Sequence, residues 1–235
     1  MAYITNLVES YPLLYAAMGG ILPALFWLWF WIQEDKLNPE PRGRIFMAFL
    51  GGMIAVILVY PLERFVHQHF GAINTSTIFA WSVIEEFAKY LIVAIIALHS
   101  KDFDEPLDAM TYIITVALGF AALENTLFIL HPLLSGEAFQ SFVTGNERFI
   151  GASLLHVVCS GIIGFFLGLA FYKNKIYKMI YRVFGIMLAV ALHAAFNLFI
   201  IYKNGQKTLF VFSVLWILVL VILLLFERIK KVKAP

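Results

Sequence analysis

Seven long stretches of the chain are almost free of charge, and short polar segments separate them. They run over Pro12 to Ile32, Ile45 to Leu62, Ile78 to Leu98, Ala109 to Leu130, Phe149 to Tyr172, Met179 to Ile201 and Thr208 to Phe226. A helix crosses the hydrocarbon core of a bilayer with about 20 apolar residues, so each stretch is long enough to span. None alternates apolar and polar side chains in the rhythm that a membrane barrel needs. The pattern predicts an all-α, polytopic helical membrane bundle of about seven helices, forming a single integral-membrane domain over residues 1–235. Composition agrees, because 62% hydrophobic and 14% charged residues leave no room for a sizeable soluble domain.

Charge sets the expected orientation. With 17 basic and 15 acidic residues the net charge of +2 is too balanced to point to nucleic acid, so the placement of the charges is what informs. If the N-terminus faces outside, 12 of the 17 basic residues fall on inner loops and the tail. Only Arg64, Arg148, Lys203 and Lys207 then lie outside, with Lys89 inside a span. The positive-inside rule favours that arrangement, N-outside and C-inside, in the cell membrane. Met1 to Tyr11 holds no Lys or Arg, so the first span reads as a retained anchor rather than a cleaved signal. Trp27, Trp29 and Trp31 read as an aromatic belt at its inner end. Gly164 and Gly168 form a GxxxG pair suited to close helix packing. The single cysteine, Cys159, excludes an internal disulfide and reads as a small buried residue.

Polar residues interrupt four of the spans. Glu85, Glu86 and Lys89 lie on the third, Glu124 and Asn125 on the fourth, His156 on the fifth, and His193 with Asn197 on the sixth. A charged residue at a helix centre costs roughly 2.5 to 3.5 kcal/mol on insertion scales, so such residues need partners or a wet cavity. At 1.5 Å per residue, Glu85, Glu124, His156 and His193 each lie ~10 to 12 Å below the outer end of their stretch, which places them in one pocket in the outer half of the bilayer. Spacing of four sets Glu85 beside Lys89 and His193 beside Asn197, and leaves Glu86 to point elsewhere or to share a proton with Glu85. Interhelical glue is the plain alternative, but Ser, Thr, Asn and Gln usually fill that role.

A carboxylate base, groups that hold a water and a donor for an oxyanion are the parts that water activation needs, and this set contains them. His156, His193 and Glu124 could instead hold zinc, with a second Glu as base, although no HExxH is present. His67, His69, His99 and His131 fall in loops or at span ends and build no ligand set.

Five segments in order resemble the PrsW family of intramembrane proteases, relatives of the type II CAAX prenyl endopeptidases. They are Asn38-Pro39-Glu40-Pro41, Glu85-Glu86-Phe87-Ala88-Lys89, Glu105-Pro106-Leu107-Asp108 leading into Gly119-Phe120-Ala121-Ala122-Leu123-Glu124-Asn125, then His156, and His193-Ala194-Ala195-Phe196-Asn197. The motif-bearing core covers about residues 36–200, and residues 208–226 are an extra anchoring span. The resemblance implies hydrolysis of a peptide bond in or near the membrane and, for one member, the start of anti-sigma-factor degradation. It implies catalytic roles for Glu85, Glu86, Glu124, His156, His193 and Asn197, with Glu124 standing where the CAAX enzymes have a histidine. Ala109 departs from the glycine more usual after the Asp, which leaves Asp108 free to cap the fourth span. The Pro39-Glu40-Pro41 loop reads as a rigid loop-shaping element on the cytoplasmic side.

The expected substrate is a single-span membrane protein. The rival readings are a proton- or ion-coupled transporter, which would also bury carboxylates and histidines, and a membrane scaffold without catalysis.

Overall fold

The computed structural model describes residues 11–71, 73–202 and 208–234, and every regular element among them is helical. Helix α1 is Pro12–Trp31, followed by a 3-10 turn at Ile32–Asp35. Then come α2 (Arg42–Phe70), α3 (Thr75–Ile96), α4 (Asp108–Leu134) and α5 (Ala138–Glu147). A π-helical turn at Arg148–Ala152 leads into α6 (Ser153–Leu169), and α7 (Lys175–Tyr202) and α8 (Thr208–Ile229) complete the bundle. Helices answer the apolar runs because in lipid every backbone N–H and C=O must be satisfied within its own segment. The polar joints supply the stops: Gly71 ends α2 at φ +71°, and the Asn74 side chain accepts the Thr77 N–H at 3.0 Å to start α3.

The protein is a multi-pass membrane bundle, and its seven long helical segments coincide with the seven apolar stretches. Six of them are long and apolar enough to cross a membrane, one of these being α5, the π turn and α6 taken together as Ala138–Leu169. The exception is α3. It has the length, but any 18-residue window of its 22 residues includes Glu85, Glu86 and Lys89. Its place in the bundle therefore depends on its neighbours.

Helix α4 is the centre of the packing. All residues from Asp108 to Ala122 are buried, so α4 turns no face to lipid along that length, as a helix surrounded by others must. Helices α1, α2 and α6 lie against it. The closest crossing is with α2: a Cβ on Gly119 would strike the Phe49 carbonyl, and one on Gly52 the Val116 carbonyl. The GxxxG pair does the same on α6, where a Cβ on Gly164 would meet the Ala109 carbonyl at 2.8 Å and one on Gly168 the Pro106 carbonyl at 2.6 Å. Small residues here replace the hydrophobic drive that lipid does not provide.

Four expectations change. Trp27 and Trp31 are core residues rather than a belt: Trp31 stacks on Phe226 and Trp27 donates from Nε1 to the Phe149 carbonyl at 3.2 Å, while Trp29 alone is exposed. Asp108 does not cap α4. It is the first helical residue, and its Oδ2 turns back to accept the N–H groups of Asp104 and Glu105, each at 2.8 Å. The segment before Phe149 is helical from Ala138, where the polar residues suggest a loop. The helices also outrun the apolar stretches, so Glu85 and Glu86 sit in the middle of α3, with residues 75–84 on one side and 87–96 on the other. Of the four basic residues assigned to the outer side, Lys203 and Lys207 lie outside the described residues.

Candidate active site

Helices α3, α4, α6 and α7 bring their polar side chains to one buried cluster. The expected groups meet: Glu85, Glu86 and Lys89 from α3, Glu124 from α4, His156 from α6 and His193 from α7. All are buried except Glu124, whose side chain keeps 19% of its surface. At ~1.5 Å per residue, Glu85 and Glu124 are each about 15 Å from the Thr75 and Leu134 ends of their helices, and His193 about 14 Å from the Tyr202 end. The cluster therefore lies nearer the middle of the bundle than the apolar stretches imply.

Lys89 organises it. Its Nζ is 2.7 Å from Glu86 Oε1, 3.5 Å from Glu85 Oε2 and 2.7 Å from His156 Nδ1, and it sits 4.5 Å from the centre of the Phe120 ring. The expected Glu85–Lys89 pair is thus the looser one; Glu86 is the close partner. An ammonium only donates, so His156 Nδ1 accepts and its Nε2 carries the hydrogen that it gives to Glu124 Oε2 at 3.0 Å. His193 Nδ1 lies 2.8 Å from Glu86 Oε1, and an ionised carboxylate only accepts, so Nδ1 donates and the Nε2 edge of the ring is the one turned to Glu85.

The two adjacent glutamates separate by environment. Glu86 is saturated: Oε1 receives Lys89 and His193, and Oε2 receives the Ser160 hydroxyl at 3.4 Å. Glu85 Oε2 is buried and has no hydrogen-bond donor, although His193 Nε2 is 3.8 Å away and His156 Nδ1 3.9 Å. A buried carboxylate oxygen with no hydrogen bond and only the loose ion pair to Lys89 at 3.5 Å is a costly arrangement unless something else binds there.

One ligand atom from each of Glu85, His156 and His193 lies within 4.8 Å of the other two, so Glu85 completes the metal-capable set that the sequence reading assigns to Glu124. Nitrogen and oxygen donors of this kind suit zinc. Glu124 instead backs His156, as carboxylates commonly do behind ligating histidines. Glu86, Cys159 and His193 form a second such group, although Cys159 is fully buried and small, as expected.

Arg148 is a member of the site that the sequence reading leaves out. It ion-pairs with Glu124 through one nitrogen and donates from Nε to Asn125 Oδ1 at 2.5 Å, and its guanidinium lies over the Phe128 ring at 3.9 Å. The signal is present in the chain, since Glu124 is the lone acid of its apolar stretch and Arg148 the only basic residue between Lys101 and Lys173. Ser160 gives no such signal, because a serine in a span looks like ordinary packing. Asn197 is half-buried on α7 one turn beyond His193, and among the described residues it makes no hydrogen bond to the cluster. His67, His69, His99 and His131 are exposed and take no part.

The bundle and its buried cluster define a multi-pass membrane protein with a hydrolase-type centre among its helices. The family described as PrsW family intramembrane metalloprotease matches residues 40–225, a range that holds every residue of the cluster. The chain belongs to that family and is an intramembrane protease. Similar proteins named "Protease PrsW" include that of Geobacillus kaustophilus strain HTA426, 28% identical over 79% of this chain and 80% of the relative. That of Oceanobacillus iheyensis strain HTE831 is 27% identical over 86% and 91%, and that of Bacillus subtilis strain 168 is 29% identical over 67% and 66%. No solved structure matches the chain.

Proposed function

We propose that the cluster hydrolyses a peptide bond of a membrane-protein substrate, with Glu85 as the group that engages the attacking water. The observation that carries this reading is Glu85 Oε2, a buried carboxylate oxygen that makes no hydrogen bond, 3.5 Å from Lys89 Nζ and 3.8 Å from His193 Nε2. That oxygen is an open acceptor for a proton from water, the first requirement of a general base. Glu86, saturated by Lys89, His193 and Ser160, holds the His193 ring in position. Arg148 and Glu124 hold His156 in the same way. Asn197, one helical turn from His193, would offer its amide to the developing oxyanion.

The residue types suit zinc, and Glu85, His156 and His193 would hold it once Lys89 gives up His156 Nδ1. When bound there, it would acidify water and polarise the scissile carbonyl. With the ion bound, Glu85 would serve as its ligand; without it, Glu85 is the base. The names of the relatives favour proteolysis over a transporter or a scaffold.

The substrate we infer is a membrane protein with a single transmembrane helix. Its peptide bonds are hidden in i to i−4 hydrogen bonds, so the cut falls where that helix unwinds, near the height of Glu85. An anti-sigma factor with one span meets that description. The test is cleavage of a tagged single-span substrate library by the purified protein, with product ends mapped by mass spectrometry and metal content measured in parallel. Glu85→Gln should lower turnover by about 10²–10⁴-fold while the protein remains folded. Wild-type turnover by that variant would overturn the role of Glu85.

A further inference from the structure

A second cluster of buried acids lies at the end of the bundle where α1 stops and α4 begins. We propose that Asp35, Glu105 and Asp108 form a binding site for a hard divalent cation, Ca²⁺ or Mg²⁺, separate from the proteolytic centre.

Three observations carry it. One carboxylate oxygen from each of the three residues lies within 4.8 Å of the other two. Two oxygens bound to one Ca²⁺ at about 2.4 Å can be at most about 4.8 Å apart, so the spacing meets the first condition for a shared ion. Secondly, Asp35 is 3% exposed and Asp108 fully buried, yet Oδ1 of each has no hydrogen-bond donor. Asp35 Oδ2 has only the Thr111 hydroxyl at 3.3 Å, and Asp108 Oδ2 is occupied by the two backbone N–H groups before it. Among the described residues no Lys or Arg forms a salt bridge with any of the three. The nearby Lys230 is committed to Glu34 at 2.8 Å and Glu227 at 2.6 Å. Thirdly, Asp35 and Glu105 border open space. A cavity of about 430 Å³ is bordered by Asp35, Asn38, Glu105 and Lys230, and one of about 600 Å³ by Asp35, Glu40 and Thr111.

The chemistry selects the ion class. Every donor is oxygen, which suits Ca²⁺ or Mg²⁺ and disfavours the softer metals that imidazole and thiolate attract. Glu40, bonded to the Tyr112 hydroxyl and abutting Asp108, adds a fourth acid beside the site. The site is remote from the catalytic cluster, since 16 residues of α4 separate Asp108 from Glu124, about 24 Å along the helix. An ion there would tie the turn after α1 to the start of α4, and so give the Asn38 to Pro41 and Glu105 to Asp108 motifs one shared task. Its binding would be independent of how the protein cuts its substrate.

The experiment uses the full chain, purified in detergent and stripped with a chelator. Calorimetric titration with CaCl₂ and with MgCl₂ should show one binding event for at least one of the ions, and Tm should rise with the logarithm of ion concentration above Kd. Glu105→Gln, at a half-buried position, should weaken that binding by roughly tenfold or more through the loss of one ligand charge. Asp35→Asn should act alike, and His193→Ala should leave the response intact. If Asp35→Asn fails to fold, Glu105→Gln still decides. No response from the wild-type protein to either ion would overturn the proposal and assign the neutralisation of these acids to protons. An unchanged response in Glu105→Gln, or its loss in His193→Ala, would also overturn it.

Discussion

Lys89 Nζ and His156 Nδ1 are 2.7 Å apart, so an ammonium on α3 occupies the imidazole nitrogen of α6 that faces Glu85. The contact fixes the tautomer of His156, and the same ammonium also holds Glu86. It sets Lys89 in competition with any metal for that ring nitrogen, because a lone pair serves one partner at a time.

Removing Lys89 should therefore have two opposite effects. Lys89→Met leaves Glu85 and Glu86 without their cation and should destabilise the protein by about 3–5 kcal/mol, the usual result of breaking a buried ion pair. Adding Glu86→Gln should recover part of that loss. Thermal unfolding of both variants in detergent measures it, and zinc titration of any folded Lys89 variant should show tighter binding than the wild type.

Glu86 is expected to act through His193. Glu86→Gln should reduce metal affinity or activity by about 10–100-fold, the range seen when the partner of a ligating histidine is lost. The loss should be smaller than that of Glu85→Gln. Parallel single-turnover assays give the ranking, and equal losses would contradict the division of labour between the two.

Arg148 divides its guanidinium between Glu124 and Asn125. Arg148→Gln should cut activity sharply and lower Tm, because it leaves Glu124 facing His156 alone. Arg148→Lys should restore the charge but not the two-pronged contact, giving partial rescue at best. Full activity in Arg148→Lys would mean that charge alone matters.

The crossing of α2 and α4 offers a test of the fold. Gly119→Ala and Gly52→Ala drive a methyl group into a backbone carbonyl that has no rotamer with which to yield, and each should cost about 1–3 kcal/mol or more. Gly43→Ala, with open space around it, should be neutral. Expression level and Tm of the three variants suffice.

Orientation follows from charge alone and is tested apart from chemistry. A reporter fused after Lys233 should report the cytoplasmic side; activity on the opposite side would reverse the bundle and with it the leaflet bordering Asp35 and Glu105.

The helices are legible in the sequence because a bilayer enforces them, and the cluster is legible because a charge placed inside an apolar run must be held by a partner or by water. Glu85, Glu86, Glu124, His156 and His193 stand out for that reason. Their pairing does not. Spacing of four matches Lys89 to Glu85, but side-chain direction in the bundle favours Glu86 at spacing three. Arg148 is hidden by its surroundings, since helix α5 and the π turn before α6 look like a polar loop in the sequence. Trp27 and Trp31 mislead because a tryptophan at the end of a span looks the same whether it faces lipid or α8. Aromatic stacking on Phe226 is a tertiary event that no local pattern announces.

The three charges of α3 also bear on how the protein is made. Each costs roughly 2.5 to 3.5 kcal/mol to leave in lipid, and although Lys89 pairs with Glu86 and Glu85 on α3 itself, their other partners, His156 and His193, belong to helices synthesised later. Helix α3 therefore completes its set of partners only when α6 and α7 have joined it. A variant that neutralises Glu85, Glu86 and Lys89 together should then insert sooner than the wild type, as read by protease protection of the nascent chain.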